Sequence, residues 1–260
     1  MNRKTFIRAL GLFALTLGVV PIAHSTEFDH SHAAFDALLK KHVRDGWVDY
    51  AALKTEPKPL KAYLDSLAAV SETAFNRWPE KERFAFLINL YNATTLKLIV
   101  DNYPVQSIKD IAGFLSSPWK QEVVRVFGKV TTLNEVEHGI IRARYHDARA
   151  HFALVCAAKG CPPLRPEAYV ATRLGEQLND QGRVFFSQAQ KNRVDPGART
   201  IYLSPVFKWF SEDFEKQSGS VLKFVEPFLP EKDRRALASG GFKIKYTDYD
   251  WSLNDQARNQ

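Results

Sequence analysis

Apolar positions along this chain repeat with two different periods, and the change of period divides it. Phe35, Leu38, Leu39 and Val43 recur at helical spacing. Gly46-Trp47-Val48-Asp49-Tyr50 reads as a turn into a short extended piece. Pro57 and Pro59 punctuate, and Leu60, Leu64, Leu67 and Ala68 then mark a second amphipathic helix. Residues 80–101 carry the strongest helical signal, with Glu80-Lys81-Glu82-Arg83 at the start and an apolar run from Phe84 to Ile88 and on through Leu90. A helix that is apolar nearly all round is a buried one, so it should be central. Asn102-Tyr103-Pro104 ends it, and Ser107 to Phe114 predicts a shorter helical turn.

Beyond this point strand signals enter. Glu122 to Phe127 and Val130 to Thr132 flank Gly128-Lys129 as two strands joined at a glycine turn. Thr132-x-x-Glu135 is a capping-box pattern opening a helix over 133–145. His151 to Cys156 reads as a buried strand, which Lys159-Gly160-Cys161-Pro162-Pro163 turns into a loop. Residues 166–189 predict a helix and Val194 to Leu203 a hairpin around Asp195-Pro196-Gly197-Ala198. Phe207 to Phe214 and Val221 to Phe228 predict helices, and Phe242 to Tyr246 a closing strand. The expected class is therefore α+β, many helices packed around a small, mainly antiparallel sheet.

The amino-terminal segment changes the picture of location. Arg3, Lys4 and Arg8 precede an apolar stretch from Ala9 to Val20, and Pro21 leads to Ala23-His24-Ser25 with small residues at the −3 and −1 positions. This order predicts a cleavable secretory signal over residues 1–25. The stretch falls short of the about 20 apolar residues that a membrane span needs. One globular domain over 26–260 would remain, periplasmic or secreted, without a stable transmembrane segment. Removing residues 1–25 takes away three bases and no acids, and the formal charge drops from +7 to +4. The remaining bases are interspersed with acids, which argues against a nucleic-acid partner. Residues 26–32, with His30 and His32, read as a solvated tail.

Six motifs occur in order: Val48-Asp49-Tyr50, Ile88-Asn89-Leu90-Tyr91-Asn92-Ala93, Leu133-Asn134-Glu135-Val136-Glu137-His138, Phe152-Ala153-Leu154-Val155-Cys156, Ser204-Pro205-Val206-Phe207-Lys208-Trp209-Phe210, and Tyr249-Asp250-Trp251-Ser252-Leu253-Asn254. Together they resemble the domain-of-unknown-function 547 family, found in bacteria and, fused to other modules, in plants. The resemblance runs from about residue 45 to 254. It implies a domain extent and no particular reaction.

The chemistry must then come from the residues. Cys156 ends an apolar segment and leads into a glycine- and proline-bearing loop, where a thiol can emerge into a cleft. A catalytic thiol needs a base and a group to orient it. His138 is the favoured base, with Asn134 and Arg142 at i−4 and i+4 on its face. Glu137 lies about 100° round the helix from it. Asn89 and Asn92, three apart on an apolar helix, are either structural hydrogen-bonders or donors that orient His138 or hold an oxyanion. His151 reads as structural. The order of elements does not follow papain, in which the cysteine starts a helix and the histidine comes later on a strand. Cys156 and Cys161, the only two cysteines, equally permit a small-loop disulfide. No motif or ligand spacing recommends a metal or cofactor. Two expectations follow. One is an exported thiol-dependent hydrolase or acyltransferase using Cys156 and His138. The other is a non-catalytic envelope domain, stapled by Cys156–Cys161, that binds a peptide, glycan or partner protein.

Overall fold

The computed structural model describes residues 27–111 and 117–258. The expected signal over 1–25 lies outside the described residues, as does the Phe114 end of the turn expected from Ser107. Five helices come first, α1 (Ala33–His42), α2 (Tyr50–Thr55), α3 (Lys58–Ala68), α4 (Glu72–Arg77) and α5 (Glu80–Asn102), with β1 (Val43–Arg44) and β2 (Trp47–Val48) between α1 and α2. The hairpin β3 (Glu122–Val126) and β4 (Lys129–Thr132) leads into a π-helical stretch, Glu135–Arg142, continued by α6 (Ala143–Tyr145). α7 (Ala150–Ala153) and α8 (Leu174–Ser187) follow, then β5 (Arg193–Asp195) and β6 (Thr200–Leu203). The chain closes with α9 (Val206–Trp209), α10 (Ser211–Ser218), α11 (Val221–Val225), α12 (Glu231–Ala238) and β7 (Lys243–Tyr246).

α5 is the buried central helix that its pattern predicts, with Phe84 to Leu96 buried without a break. Glu80 and Glu82 lie in its first turn, where carboxylates complement the partial positive charge of the N-terminus. Tyr103 is extended, as the residue before a proline prefers, and the helix stops there. α1 to α4 and the β3–β4 hairpin pack around α5 as one apolar core. A second core is built largely from phenylalanines, including Phe152, Phe185, Phe186, Phe207, Phe214, Phe224 and Phe228, contributed by α7 to α11 and the Glu226–Phe228 turn after α11. The four residues of α7 touch both: Ala150 and Ala153 belong to the first core and Phe152 to the second. Whatever follows α7 therefore emerges at the seam.

Three details differ from the sequence expectation while the α+β class holds. The strands form three small sheets, β1–β2, β3–β4 and β5–β6–β7, and β7 joins β6 in parallel after a crossover through α9 to α12. Strands of two to five residues bury little, so the helices supply the cores. His151 to Cys156 is one helical turn and an extended tail instead of a strand; a short apolar run does not reveal its period. The helix expected over 166–189 begins only at Leu174, because the preceding loop is held by side chains. Gln177 accepts from the Val170 N–H and donates to the Ala168 carbonyl.

The expected tail is also ordered from Glu27 onward. Phe28 stacks on Trp78, and His32 is buried with its Nδ1 2.7 Å from the Tyr63 hydroxyl. Burial, against the pull of Asp29, lowers the His32 pKa to about 4.

Candidate functional site

A cavity of about 250 Å³ opens at the seam of the two cores, directly after α7. Its walls include Glu137 and His138 from the π-helical stretch, His151 from α7, Cys156 and Cys161 from the following loop, and Trp209, Phe210, Tyr249 and Trp251 from the last third of the chain. The structure thus brings Cys156, His138 and Glu137 to one place. It does not bring Asn89 or Asn92 to the cavity wall.

Both asparagines act as substitute strand edges. The Asn92 amide donates to the Ala153 carbonyl at 2.9 Å and accepts from the Val155 N–H at 3.1 Å. Asn89 does the same for Tyr169, donating at 2.8 Å and accepting at 3.0 Å. Each satisfies a backbone donor and acceptor that would otherwise be buried without partners. They are structural hydrogen-bonders, and Asn92 fixes the segment that delivers Cys156.

The thiol wall is assembled by a strap over residues 249–255. Gly160 N–H donates to the Asp250 carbonyl, Lys159 N–H to Ser252, Asn254 N–H to Ala157 and Val48 N–H to Asn254, each at 2.8–3.1 Å. Gly160 is needed for this approach, since a Cβ there would meet the Asp250 backbone nitrogen at 2.9 Å. The strap thereby places the Tyr249 hydroxyl 3.0 Å from Cys156 Sγ. Both cysteines are free, with their sulfurs 2.9 Å apart, longer than the roughly 2.05 Å of a disulfide bond. The staple expected in the non-catalytic reading is thus not formed.

The two sulfurs are not equivalent. The Cys156 thiol donates to Cys161, and this bond, burial and the neighbouring negative charge push its pKa well above the ordinary value. Burial also opposes ionisation of Cys161. The Cys156 thiol and N–H, the Tyr249 hydroxyl and the charge of Lys191 outweigh it and lower the Cys161 pKa. Lys191 donates to the Cys161 carbonyl at 2.6 Å, and its own burial brings its pKa down to about 8. Negative charge in the pair therefore rests on the deeper sulfur.

The imidazole wall is held by α10. Asp213 Oδ2 accepts from Arg142 Nε at 2.6 Å and from His151 Nε2 at 2.7 Å, and Asp213 Oδ1 accepts from Arg142 Nη2 at 3.0 Å. Burial disfavours the carboxylate, yet the hydrogen bonds from His151 and Arg142 and the Arg142 charge hold its pKa well below the usual range. Since the carboxylate only accepts, His151 Nε2 carries a proton, and in the neutral ring Nδ1 holds the lone pair. His151 is buried and stacks on Phe210 with ring centroids 3.9 Å apart.

His138 also stacks on Phe210, with centroids 6.2 Å apart, but differs in burial and in its hydrogen-bond partner. It is exposed, and Arg142 Nη1 donates to its Nδ1 at 2.7 Å. That bond reserves the Nδ1 lone pair and leaves Nε2 as the donor of the neutral ring. The expected i+4 neighbour is thus present. The stretch begins at the predicted cap, Glu135 N–H donating to Thr132 Oγ1 at 3.0 Å. Glu137 meets α5, accepting from the Tyr91 hydroxyl at 3.0 Å.

Sequence reasoning passed over His151 as a site residue and did not single out Asp213 or Tyr249. The aromatics Trp209 and Trp251 were the one local signal near Tyr249, and nothing local pointed to Asp213. Among the described residues no group of three or more His, Cys, Asp or Glu side chains is placed to hold a metal ion. No helix among them is long and apolar enough to cross a membrane.

Residues 75–186 match the family model described as "Protein of unknown function, DUF547". The chain carries a DUF547 region. That region contains both cysteines, His138, His151, Glu137 and both asparagines, whereas Asp213, Tyr249 and the rim tryptophans Trp209 and Trp251 come from outside it. The matched DUF547 extent is shorter than the 45–254 expected from the ordered motifs. No curated protein and no solved structure matches the chain.

Proposed function

We propose that the protein is a thiol-dependent acyl-transfer enzyme, a hydrolase or transferase acting on an amide or ester, with Cys156 as nucleophile. One observation carries this: a protonated thiol and a carboxylate-oriented imidazole line the same cavity. Cys156 turns away from Cys161 by rotation about χ1, and its sulfur attacks the substrate carbonyl as His151 Nδ1 takes the proton. Asp213 orients the ring and offsets the imidazolium charge. His138, fixed by Arg142, donates from Nε2 to the developing oxyanion. The leaving amine or alcohol collects the proton from His151, and water or another acceptor cleaves the thioester. The order of charges and apolar residues in 1–25 supports an exported setting, periplasmic or secreted.

The test is acylation by a p-nitrophenyl ester, followed by peptide mass mapping. The expected result is a burst of nitrophenolate with the acyl group on Cys156, slowed at least about 100-fold in His151→Ala. An acyl group found elsewhere, or a burst unaffected in His151→Ala, would overturn the assignment.

The binding-domain reading retains one supporting observation. Trp209, nearly half exposed, stacks with Trp251 at 5.9 Å and lies against Tyr249 at 4.8 Å at the cavity mouth. Such a platform accepts the flat face of a sugar or an aromatic peptide side chain. Glycan or peptide binding that survives in Cys156→Ser, without any acyl-enzyme in the native protein, would favour it.

A further inference from the structure

We infer that Cys156 and Cys161 form a working dithiol that reduces slender, accessible disulfides, an activity separate from acyl transfer. The inference starts from the loop between them. Ala157 adopts a left-handed backbone, φ 58°, although it is not glycine, and Cys161 N–H closes a turn on the Ala158 carbonyl at 3.1 Å. The strap fixes the same loop through Lys159 and Gly160. The chain is thereby bent so that the two sulfurs approach to 2.9 Å without being joined.

Their surroundings divide the labour. Cys156 is the less buried of the two, and both line the cavity. Cys161 is 5% exposed and receives the Cys156 N–H at 3.0 Å. The Lys191 ammonium is anchored on the Cys161 carbonyl. An outer sulfur that meets the substrate and an inner sulfur 2.9 Å behind it, near enough to take its proton and later to resolve the mixed disulfide, is the geometry that a two-step exchange needs.

The steps balance. Cys156 passes its proton to Cys161 and attacks one sulfur of the incoming disulfide. A mixed disulfide forms on Cys156, and the first thiolate leaves, drawing a proton from solvent. Cys161, losing its proton, then attacks Cys156 Sγ. The Cys156–Cys161 bond forms as the mixed disulfide breaks, and the second substrate sulfur leaves as a thiol. Two electrons have moved from the protein to the substrate disulfide. Excess low-molecular-weight thiol runs the same steps backwards and restores the pair. The cavity, about 250 Å³ and open to solvent, lets the sulfur end of a low-molecular-weight disulfide reach Cys156 while the rest of the molecule stays outside, and it keeps out a bridge inside a folded protein.

The experiment equilibrates the full chain with glutathione and glutathione disulfide at several ratios. Free thiols are then blocked, and intact and peptide masses are read. Wild type is expected to convert to a form lighter by two hydrogens, with the bond mapped to Cys156–Cys161 and no lasting adduct. Cys161→Ser should accumulate glutathione on Cys156, because the resolving sulfur is gone. Wild type that stays a dithiol at every ratio would overturn the inference. So would wild type that accumulates the glutathione adduct on Cys156 as Cys161→Ser does. Tyr249→Phe offers a milder second variant, expected to slow resolution of the adduct at neutral pH; an unchanged rate would count against the inner thiolate. No ester is involved, so failure here leaves the acyl-transfer proposal standing, and the reverse also holds.

Discussion

The two walls of the cavity are built by different physics. Main-chain hydrogen bonds from the strap hold the thiol wall, and its sulfurs are tuned by hydroxyl and N–H donors at short range. The imidazole wall is held by side-chain charge, one carboxylate of α10 serving Arg142 and His151 together. A backbone-built wall changes when the chain moves, whereas a charge-built wall changes when a proton is added. Each therefore answers to its own perturbation, and the two can be taken apart experimentally.

The largest expected effect separates them by activity. Asp213→Asn should lower ester turnover about 100-fold, close to 2.7 kcal/mol, by releasing the His151 tautomer. The rate of Cys156 modification by a small alkylating reagent should stay within about twofold. If both fall together, the walls are one unit and the contrast is false.

Next is the support beneath the thiol wall. Asn92→Ala leaves the Ala153 carbonyl and the Val155 N–H buried without partners and should cost about 1–3 kcal/mol. A urea midpoint unchanged within error would show that this amide does not carry the segment.

A smaller effect reads the charge-built wall through pH. Asp213 has a depressed folded pKa, so its contribution is fully present above the ordinary value of 3.8 and is lost as pH falls toward the folded value. The stability gap between wild type and Asp213→Asn, about 2 kcal/mol at pH 7, should hold down to about pH 5 and narrow below about pH 4. A gap that is constant down to pH 3 would remove Asp213 from the titration.

The smallest effect sharpens the thiol wall. Tyr249→Phe deletes one hydroxyl donor and should raise the midpoint of thiol alkylation by roughly half a pH unit to one unit. A midpoint that moves down would reverse the sign of the donor assigned here.

Local pattern carried the expectation a long way. α5, the β3–β4 hairpin and the β5–β6 hairpin were legible because each declares its own period or turn. Cys156, His138 and Glu137 were legible as neighbours because few residues separate their elements. The His151–Asp213 bond joins positions 62 apart, and the Cys156–Tyr249 contact positions 93 apart. No periodicity in one sequence states which distant side chains meet. The same gap explains why His151 read as structural: its carboxylate lies on a helix whose own pattern gives no sign of it. His32 looked like tail because Tyr63, which it meets directly, and Trp78, which anchors the neighbouring Phe28, are also remote.

The strap also sets a sequence of events. Its bonds tie Val48 to Asn254 and Gly160 to Asp250, so the thiol wall closes across some of the longest loops in the chain. Such contacts follow the local helices in folding, because the cost of closing a loop rises with its length. A chain emerging from synthesis presents both cysteines long before Tyr249 arrives. During that interval the sulfurs are ordinary, uncovered thiols, open to any oxidant in the compartment. The hydrogen bonds that set the two sulfurs apart form only when the last residues dock, which makes completion of the chain the event that finishes the thiol wall.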